Sequence, residues 1–326
     1  MLLDVEDLVT KFPIKRGDIY AVNGVSFSIE KGRTLAVVGE SGSGKSVTAL
    51  SVMRLISKPG VIESGRIMFK GENLLTLPNA KMQALRGDSI SMIFQEPMTS
   101  LNPVYTIKFQ ITETILRHTG SSKSAAAERA VEMLKLVGIP SPEKRINNYP
   151  HEMSGGMRQR VMIAMALACG PELLIADEPT TALDVTIQAQ IMDLLYRLRE
   201  RYNMGMMLIT HDLGVVAEAA DDVAVMYCGR IVERAPVREL FKNPLHPYTS
   251  GLINSIPRLD QNVKRLPMIR GMVPNPLRMP PGCAFSARCD SALPVCSERA
   301  PGMSALTGGH EVSCHLYNDD KIIKEA

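Results

Sequence analysis

The chain has 326 residues, 45% of them apolar and 22% charged, with a formal net charge of +3 at pH 7. That length exceeds what one hydrophobic core usually serves, so a large domain with an appendage is expected, and charges of both signs mixed along the chain argue against a dedicated nucleic-acid surface. The opening Met1 to Asp7, with Asp4 and Glu6, does not read as a secretory leader, and no run reaches the roughly 18 apolar residues of a membrane helix, so a soluble, cytoplasmic protein is expected.

Leu2 to Val9 and Ala21 to Ile29 have strand character, with a turn near Lys31-Gly32. Leu35-Ala36-Val37-Val38 is a short apolar run that predicts a buried strand, and Ser46 to Ser57 carries helical spacing. Strand signal returns at Arg66 to Phe69 and at Ile90 to Phe94. From about residue 105 to 170 the pattern is helical, notably Ser124 to Val137, which stops at Gly138 with Pro140 just beyond. Leu173 to Ala176 predicts a buried strand, Thr186 to Tyr202 a long amphipathic helix, Met206 to Thr210 a strand, Leu213 to Ala220 a helix and Asp222 to Tyr227 a strand. Cys228-Gly229 then turns the chain into Ile231-Val232. Strands alternating with helices imply a mostly parallel sheet with helices on its faces. After about residue 256 the texture changes: Pro274, Pro276, Pro280, Pro281 and Gly282 crowd together and periodicity is lost.

Between the strand at 35–38 and the helix that follows, residues 39–46 read Gly39-Glu40-Ser41-Gly42-Ser43-Gly44-Lys45-Ser46. This is a complete G-x-x-x-x-G-K-S loop. Its small residues let backbone N–H groups curl around a polyphosphate, Lys45 adds a charge for the β- and γ-phosphates, and Ser46 offers a hydroxyl to Mg²⁺. Leu173 to Ala176 runs into Asp177-Glu178, a strand ending in two carboxylates. Beside such a loop the first carboxylate is placed for Mg²⁺ and the second to orient or deprotonate an attacking water. A second small-residue turn, Ser154-Gly155-Gly156, opens a helix from Arg158. It has the geometry of another anion site, one too many for one nucleotide unless it serves a partner subunit.

These motifs, with Gln95, Ala182-Leu183-Asp184 and His211, resemble the ATP-binding-cassette family in order and spacing, over residues 1 to about 255. The resemblance implies an α/β, ABC-type P-loop NTPase with a mostly parallel core sheet, an antiparallel β part and an inserted helical subdomain at about 100–170, the whole nucleotide-binding domain covering 1–255. It also implies roles. Gly39 to Ser46 resembles the Walker A loop and Gln95 the Q-loop glutamine that touches Mg²⁺ and the attacking water. Ser154, Gly155 and Gly156 resemble the signature motif that completes the ATP site of the opposite subunit. Asp177 resembles the metal-side aspartate, Glu178 the catalytic glutamate, Asp184 the D-loop aspartate and His211 the switch histidine. The common Leu-Ser-Gly-Gly-Gln appears as Met153-Ser154-Gly155-Gly156-Met157, which keeps the phosphate-contacting residues and loses the terminal amide. Tyr20, with Phe12 as the second choice, is read as the aromatic stacked on adenine.

Gln95 to Pro103 and His246-Pro247-Tyr248-Thr249 further resemble the dipeptide/oligopeptide importer subfamily, whose relatives carry nickel, glutathione or other small solutes. The implied activity is ATP hydrolysis that powers peptide import. The implied cofactors are ATP and Mg²⁺. The implied partners are a second, different ABC ATPase chain, two transmembrane permeases and a periplasmic or extracellular solute-binding protein, with no nucleic acid. The implied place is the cytoplasmic face of a bacterial membrane, and residues 96–103 would meet the permeases. Residues 256–326 are expected to form a small irregular C-terminal domain with Cys283, Cys289, Cys296 and Cys314. Four thiols in a segment with little core suggest a metal staple. The resemblance implies a 4Fe–4S cluster there, with zinc or plain reduced thiols as the alternatives. Cys169 and Cys228 read as buried packing residues. Arg270 and Arg278, with Lys264 and Arg265, read as a solvated basic surface ending at Arg288, or as a contact with a membrane subunit or anionic lipid.

Overall fold

The computed structural model describes residues 1–95, 100–181, 183–255 and 268–317. Its strands are β1 (Leu3–Ile14), β2 (Gly17–Ile29), β3 (Thr34–Val38), β4 (Val61–Phe69), β5 (Glu72–Asn73), β6 (Ile90–Ile93), β7 (Leu173–Asp177), β8 (Gly205–Ile209), β9 (Asp222–Tyr227), β10 (Arg230–Pro236), β11 (Ser304–Ala305) and β12 (Glu311–Val312). The helices that matter for the site are α1 (Lys45–Val52), α2 (Ile107–Thr119), α3 (Lys123–Leu136), α4 (Gly155–Leu167), α5 (Val185–Tyr202), α6 (Leu213–Ala219) and α7 (Pro247–Asn254). The chain divides into two compact units, one of Met1–Leu2, Ile29–Arg33 and Thr76–Ile209, the other of Leu3–Ser28, Thr34–Leu75 and Thr210–Ala326.

In the first unit β6, β7 and β8 pair in parallel, with Ile90 opposite Leu173 and Leu173 opposite Gly205. Every residue of β7 and β8 is buried, as expected of parallel strands covered on both faces and written as unbroken apolar runs. Helices α2, α3 and α4 pack on one another, and α4 also packs on β6. The helical stretch expected at about 105–170 is therefore present. Helix α4 is buried through Val161, Ile163, Ala164 and Leu167. The carboxyl ends of β6 and β7 deliver Gln95 and Asp177-Glu178, the end of a parallel sheet at which α/β proteins bind ligands.

The second unit holds two sheets. One is antiparallel, in the order β2-β1-β4-β5, with Leu3 opposite Phe69 and Val5 opposite Ile67. Leu3, Val5, Leu8 and Thr10 turn into its core while the residues between them are partly exposed, the alternation of a strand with one buried face. The other sheet pairs β3 with β9 in parallel and β9 with β10 antiparallel. The β9–β10 hairpin turns on Cys228 (φ 47°) and Gly229 (φ 79°), two left-handed residues as a tight hairpin requires.

Two expectations are corrected here. Helix α1 ends at Val52 rather than near Ser57, because Arg54 turns left-handed (φ 50°) and donates from Nη1 to the Leu74 carbonyl at 2.9 Å. Among the described residues the cysteine-bearing segment also forms no body of its own. It adds β12 and β11 to the edge of β10 and sends Phe285, 3% exposed, into a core with Val38, Tyr227 and Tyr248. A short Pro/Gly-rich segment has too few apolar residues to enclose a core alone, so it borrows one.

Candidate nucleotide site

In the second unit the loop Gly39 to Gly44 joins β3 to α1. Three of its glycines have positive φ: Gly39 (152°), Gly42 (77°) and Gly44 (104°). Two of them also meet backbone so closely that any β-carbon would collide, Gly39 with the Met226 carbonyl and Gly44 with the Ala21 carbonyl. Only glycine satisfies both demands. Lys45, 5% exposed, folds back over the loop and donates to the carbonyls of Gly39 at 2.8 Å and Glu40 at 3.0 Å. Ser43 Oγ is buried and has no hydrogen-bond partner among the described residues. Ser41 and Gly42 are exposed, while Ser46 is half-buried on the first turn of α1. The result is a ring of backbone around a cationic side chain at a helix N-terminus, a ready receptor for phosphate. His211, which follows β8, is exposed, and Asp212 beside it caps α6 by accepting from Gly214 N–H at 2.9 Å.

In the first unit Asp177 is 4% exposed at the end of β7. Glu178 follows it in a left-handed conformation (φ 45°), and its N–H donates to the Ile209 carbonyl at 2.9 Å. Such a backbone is strained for a non-glycine residue and is common at functional positions. Two groups hold its carboxylate: Gln95 Nε2 donates to Oε2 at 3.1 Å and Thr181 Oγ1 donates to the same oxygen at 2.9 Å. The structure thus brings together Gln95 and Glu178, which lie 83 residues apart in the chain.

Ser154 caps α4, accepting from Met157 N–H at 3.3 Å, and is itself exposed. Gly155 has room for a methyl group, whose nearest neighbour would be Leu183 at 3.8 Å, whereas Gly156 faces Ile187 at 3.0 Å. Asp184 is exposed and caps α5 through Ile187 N–H at 2.9 Å. Ala182, the first residue of the expected D-loop, lies outside the described residues, as do Glu96 to Thr99 of the expected permease contact and the stretch containing Lys264 and Arg265.

Sequence reasoning missed Gln159 and Thr181. Gln159, 2% exposed inside α4, donates from Nε2 to the Pro179 carbonyl at 2.5 Å and so ties α4 to the turn after Glu178. A lone amide followed by the apolar stripe Val161 to Leu167 was the available signal. Sequence reasoning also missed what surrounds Glu40. Tyr248 Oη accepts from Glu40 N–H at 2.8 Å, and Arg288 donates to both carboxylate oxygens at 2.8 and 2.9 Å. Arg288, the expected end of a solvated basic surface, has a side chain only 5% exposed.

Tyr20 is 42% exposed and has Lys11 Nζ 5.7 Å from its ring centroid. It lines a cleft of about 200 Å³ with Cys228, Met279, Cys283 and Phe285. Phe12 instead packs where a β-carbon on Gly60 would fall. Cys169 and Cys228 are half-buried rather than fully buried, because each lies near a surface turn, and burial raises both thiols, Cys228 to about 11. Burial likewise raises Cys283, Cys289 and Cys314, the last to about 11, with the other three tail thiols adding repulsion to any thiolate at Cys314. Among the described residues no group of three or more His, Cys, Asp or Glu is placed to hold a metal ion, so the expected staple is not preformed in this arrangement.

The chain is similar to known proteins over most of its length. Residues 22–181 match the ABC transporter model and residues 232–296 the oligopeptide/dipeptide transporter C-terminal region. The chain is 52% identical over 320 residues to the oligopeptide transport ATP-binding protein AppD of Bacillus subtilis (strain 168), covering 98% of both. It is 50% identical over 318 residues to the dipeptide transport ATP-binding protein DppD of the same organism, covering 97% of this chain and 95% of that one. A dimeric, post-hydrolysis structure of the ATP-binding cassette MJ0796 with ADP and Pi aligns at a TM-score of 0.66 and 27% identity, over 73% of this chain and 99% of that one. The chain belongs to the ABC transporter family of ATP-binding proteins, as its motifs implied.

Proposed function

We propose that the chain is the ATP-hydrolysing subunit of a membrane importer for di- and oligopeptides. The observation that carries the reading is the loop Gly39 to Ser46, a backbone ring with Lys45 drawn over it. The peptide cargo rests on similarity to proteins whose names state it. Nickel, glutathione or another small solute is the alternative cargo.

In this reading Lys45 and the loop amides take the phosphates of ATP, with Tyr20 beside the base. The hydroxyl of Ser46, the carboxylate of Asp177 and the amide oxygen of Gln95 are hard oxygen donors that suit Mg²⁺. Mg²⁺, when bound, screens the charge of the phosphates. Glu178 accepts the proton of the attacking water, and Gln95 and Thr181 hold its carboxylate in place for that task. His211 contacts the γ-phosphate. Ser154, Gly155 and Gly156 serve the nucleotide of a second ATPase chain, and Asp184 lies across from it. The exposure of Ser154 and of Val185, 83% accessible at the start of α5, supports a partner there.

Among the described residues no helix is long and apolar enough to cross a membrane, so in this reading the bilayer is spanned by two permeases, fed by a solute-binding protein outside. Exposed Phe94, Val104, Tyr105 and Phe109 flank residues 96–103 and support a permease contact; Tyr105 and Phe109 stack at 4.5 Å. The chain would then sit on the cytoplasmic face of the membrane. The proposed 4Fe–4S cluster at Cys283, Cys289, Cys296 and Cys314 is supported by their sequence pattern and by the Cys283 N–H, which donates to the Cys296 carbonyl at 2.7 Å, and carries no step of the reaction. Iron and acid-labile sulfide in anaerobically purified protein would support it, and iron-free, colourless protein would end it. The whole reading is tested by ATP-dependent uptake of labelled dipeptide into vesicles that hold the chain with its neighbouring permeases. Uptake without ATP, or none with this chain present, would overturn it.

A further inference from the structure

Glu40, the second residue of the phosphate loop, is held by three separate groups in the second unit. Its N–H goes to Tyr248 Oη, its carbonyl accepts from Lys45, and its carboxylate accepts both arms of the Arg288 guanidinium. Arg288 is in turn fully engaged. Its Nε donates to the Arg270 carbonyl at 3.0 Å, its Nη1 donates to Tyr227 Oη at 3.2 Å, and its charge lies 5.7 and 5.8 Å from the Phe285 and Tyr227 ring centroids. A planar guanidinium with every arm used cannot drift, so the carboxylate it grips cannot drift either.

Glu40 puts a fixed negative charge on the loop that must receive a polyanion. Unpaired, that carboxylate would oppose the phosphates and be free to accept Lys45, the cation the phosphates need. We propose that Arg288 is a positioning residue for nucleotide binding: it cancels and pins the Glu40 carboxylate, so that the loop presents a net positive face and Lys45 stays available to ATP. This rests on the ATP-binding reading above and deepens it, since it assigns a role at the phosphate loop to a side chain 248 residues away in the sequence.

The test uses the full chain, with ATP binding by the wild-type protein measured first; failure at that stage overturns the function reading itself. In R288Q the Glu40 carboxylate is left unpaired, and the Kd and KM for ATP should rise about tenfold, the effect of one uncompensated interaction of roughly 1.4 kcal/mol, while kcat holds within about twofold of wild type. R288K, which keeps a charge without the fork, should fall between. Removing the opposing charge as well, in E40Q/R288Q, should recover most of the lost affinity, and raised salt should narrow the R288Q deficit. A double variant no better than R288Q, or a loss in kcat with KM unchanged, would overturn the proposal in favour of a purely structural contact. If R288Q fails to fold by circular dichroism, the comparison of E40Q with E40Q/R288Q, which removes the guanidinium beside a neutral partner, replaces it; equal KM in those two supports charge cancellation, and a large further rise overturns it.

Discussion

The Gln95 amide and the Thr181 hydroxyl converge on one oxygen of Glu178, at 3.1 and 2.9 Å, while Glu178 itself sits on a left-handed backbone (φ 45°). A carboxylate so held has a fixed direction in which to accept a proton. Glu178→Gln keeps the size and the hydroxyl contact but removes the proposed base. Turnover should fall by about 10²–10⁴, the usual worth of a positioned base, with ATP affinity little changed. Single-turnover hydrolysis and equilibrium nucleotide binding on the same preparation check it; normal turnover would remove Glu178 from its role.

Gly155 offers a cleaner separation. A methyl group there would meet nothing closer than 3.8 Å in its own chain, and alanine is favoured over glycine in a helix by about 1 kcal/mol. Gly155→Ala should therefore leave the thermal midpoint unchanged or raised. If Gly155 serves a second chain's nucleotide, ATPase activity should nonetheless fall, about tenfold or more, only in the assembled pair. Unchanged activity in the assembled transporter would place the need for glycine elsewhere.

His246 supplies a pH dependence. It is 1% exposed, and its Nδ1 accepts from Tyr248 N–H at 3.0 Å at the start of α7, so the ring is neutral there. Burial lowers its pKa to about 4 from the ordinary 6.5. The unfolded chain then binds a proton that the folded chain refuses between those values. Stability is full above about pH 6.5 and declines as pH falls towards 4, by on the order of 3 kcal/mol for this one group. Urea unfolding at pH 7.5 and pH 5 should show it, with the difference shrinking in His246→Asn. Equal pH sensitivity in both proteins would assign the effect to other groups.

Glu233 is wholly buried on β10 and satisfied by His310 Nε2 at 2.7 Å and by the N–H groups of Leu245 and His246, each at 2.8 Å. It fastens β10 to the turn before α7 and to the segment before β12. Glu233→Ala leaves all three partners without an acceptor and should destabilise the second unit by about 3–5 kcal/mol, as breaking a buried polar network does. Chemical unfolding measures it; a loss below about 1 kcal/mol would mean water replaces the carboxylate.

The candidate catalytic groups were legible because their chemistry forces short, local patterns. A phosphate loop needs its glycines and lysine in one run, and a buried parallel strand must be an apolar run before its carboxylates. What surrounds Glu40 was not legible. Tyr248 and Arg288 reach it from 208 and 248 residues away, and no local pattern distinguishes a buried, paired arginine from a solvated one. The cysteine segment misled for a related reason. Its composition shows that it lacks a core but not whose core it joins, and Phe285 settles that only through contacts made in the folded chain. The early end of α1 follows from Arg54, whose left-handed turn no side-chain periodicity announces.

The parallel pairing of β3 with β9, which sets Leu35 opposite Asp222, has a consequence for biosynthesis. Thr34 N–H waits for the Asp221 carboxylate, 187 positions downstream. During translation β3, which leads into the phosphate loop, has neither partner until most of the polypeptide has left the ribosome, so this apolar strand must be kept from wrong associations meanwhile. Late-emerging segments thus decide whether the earliest-made functional element acquires its working shape.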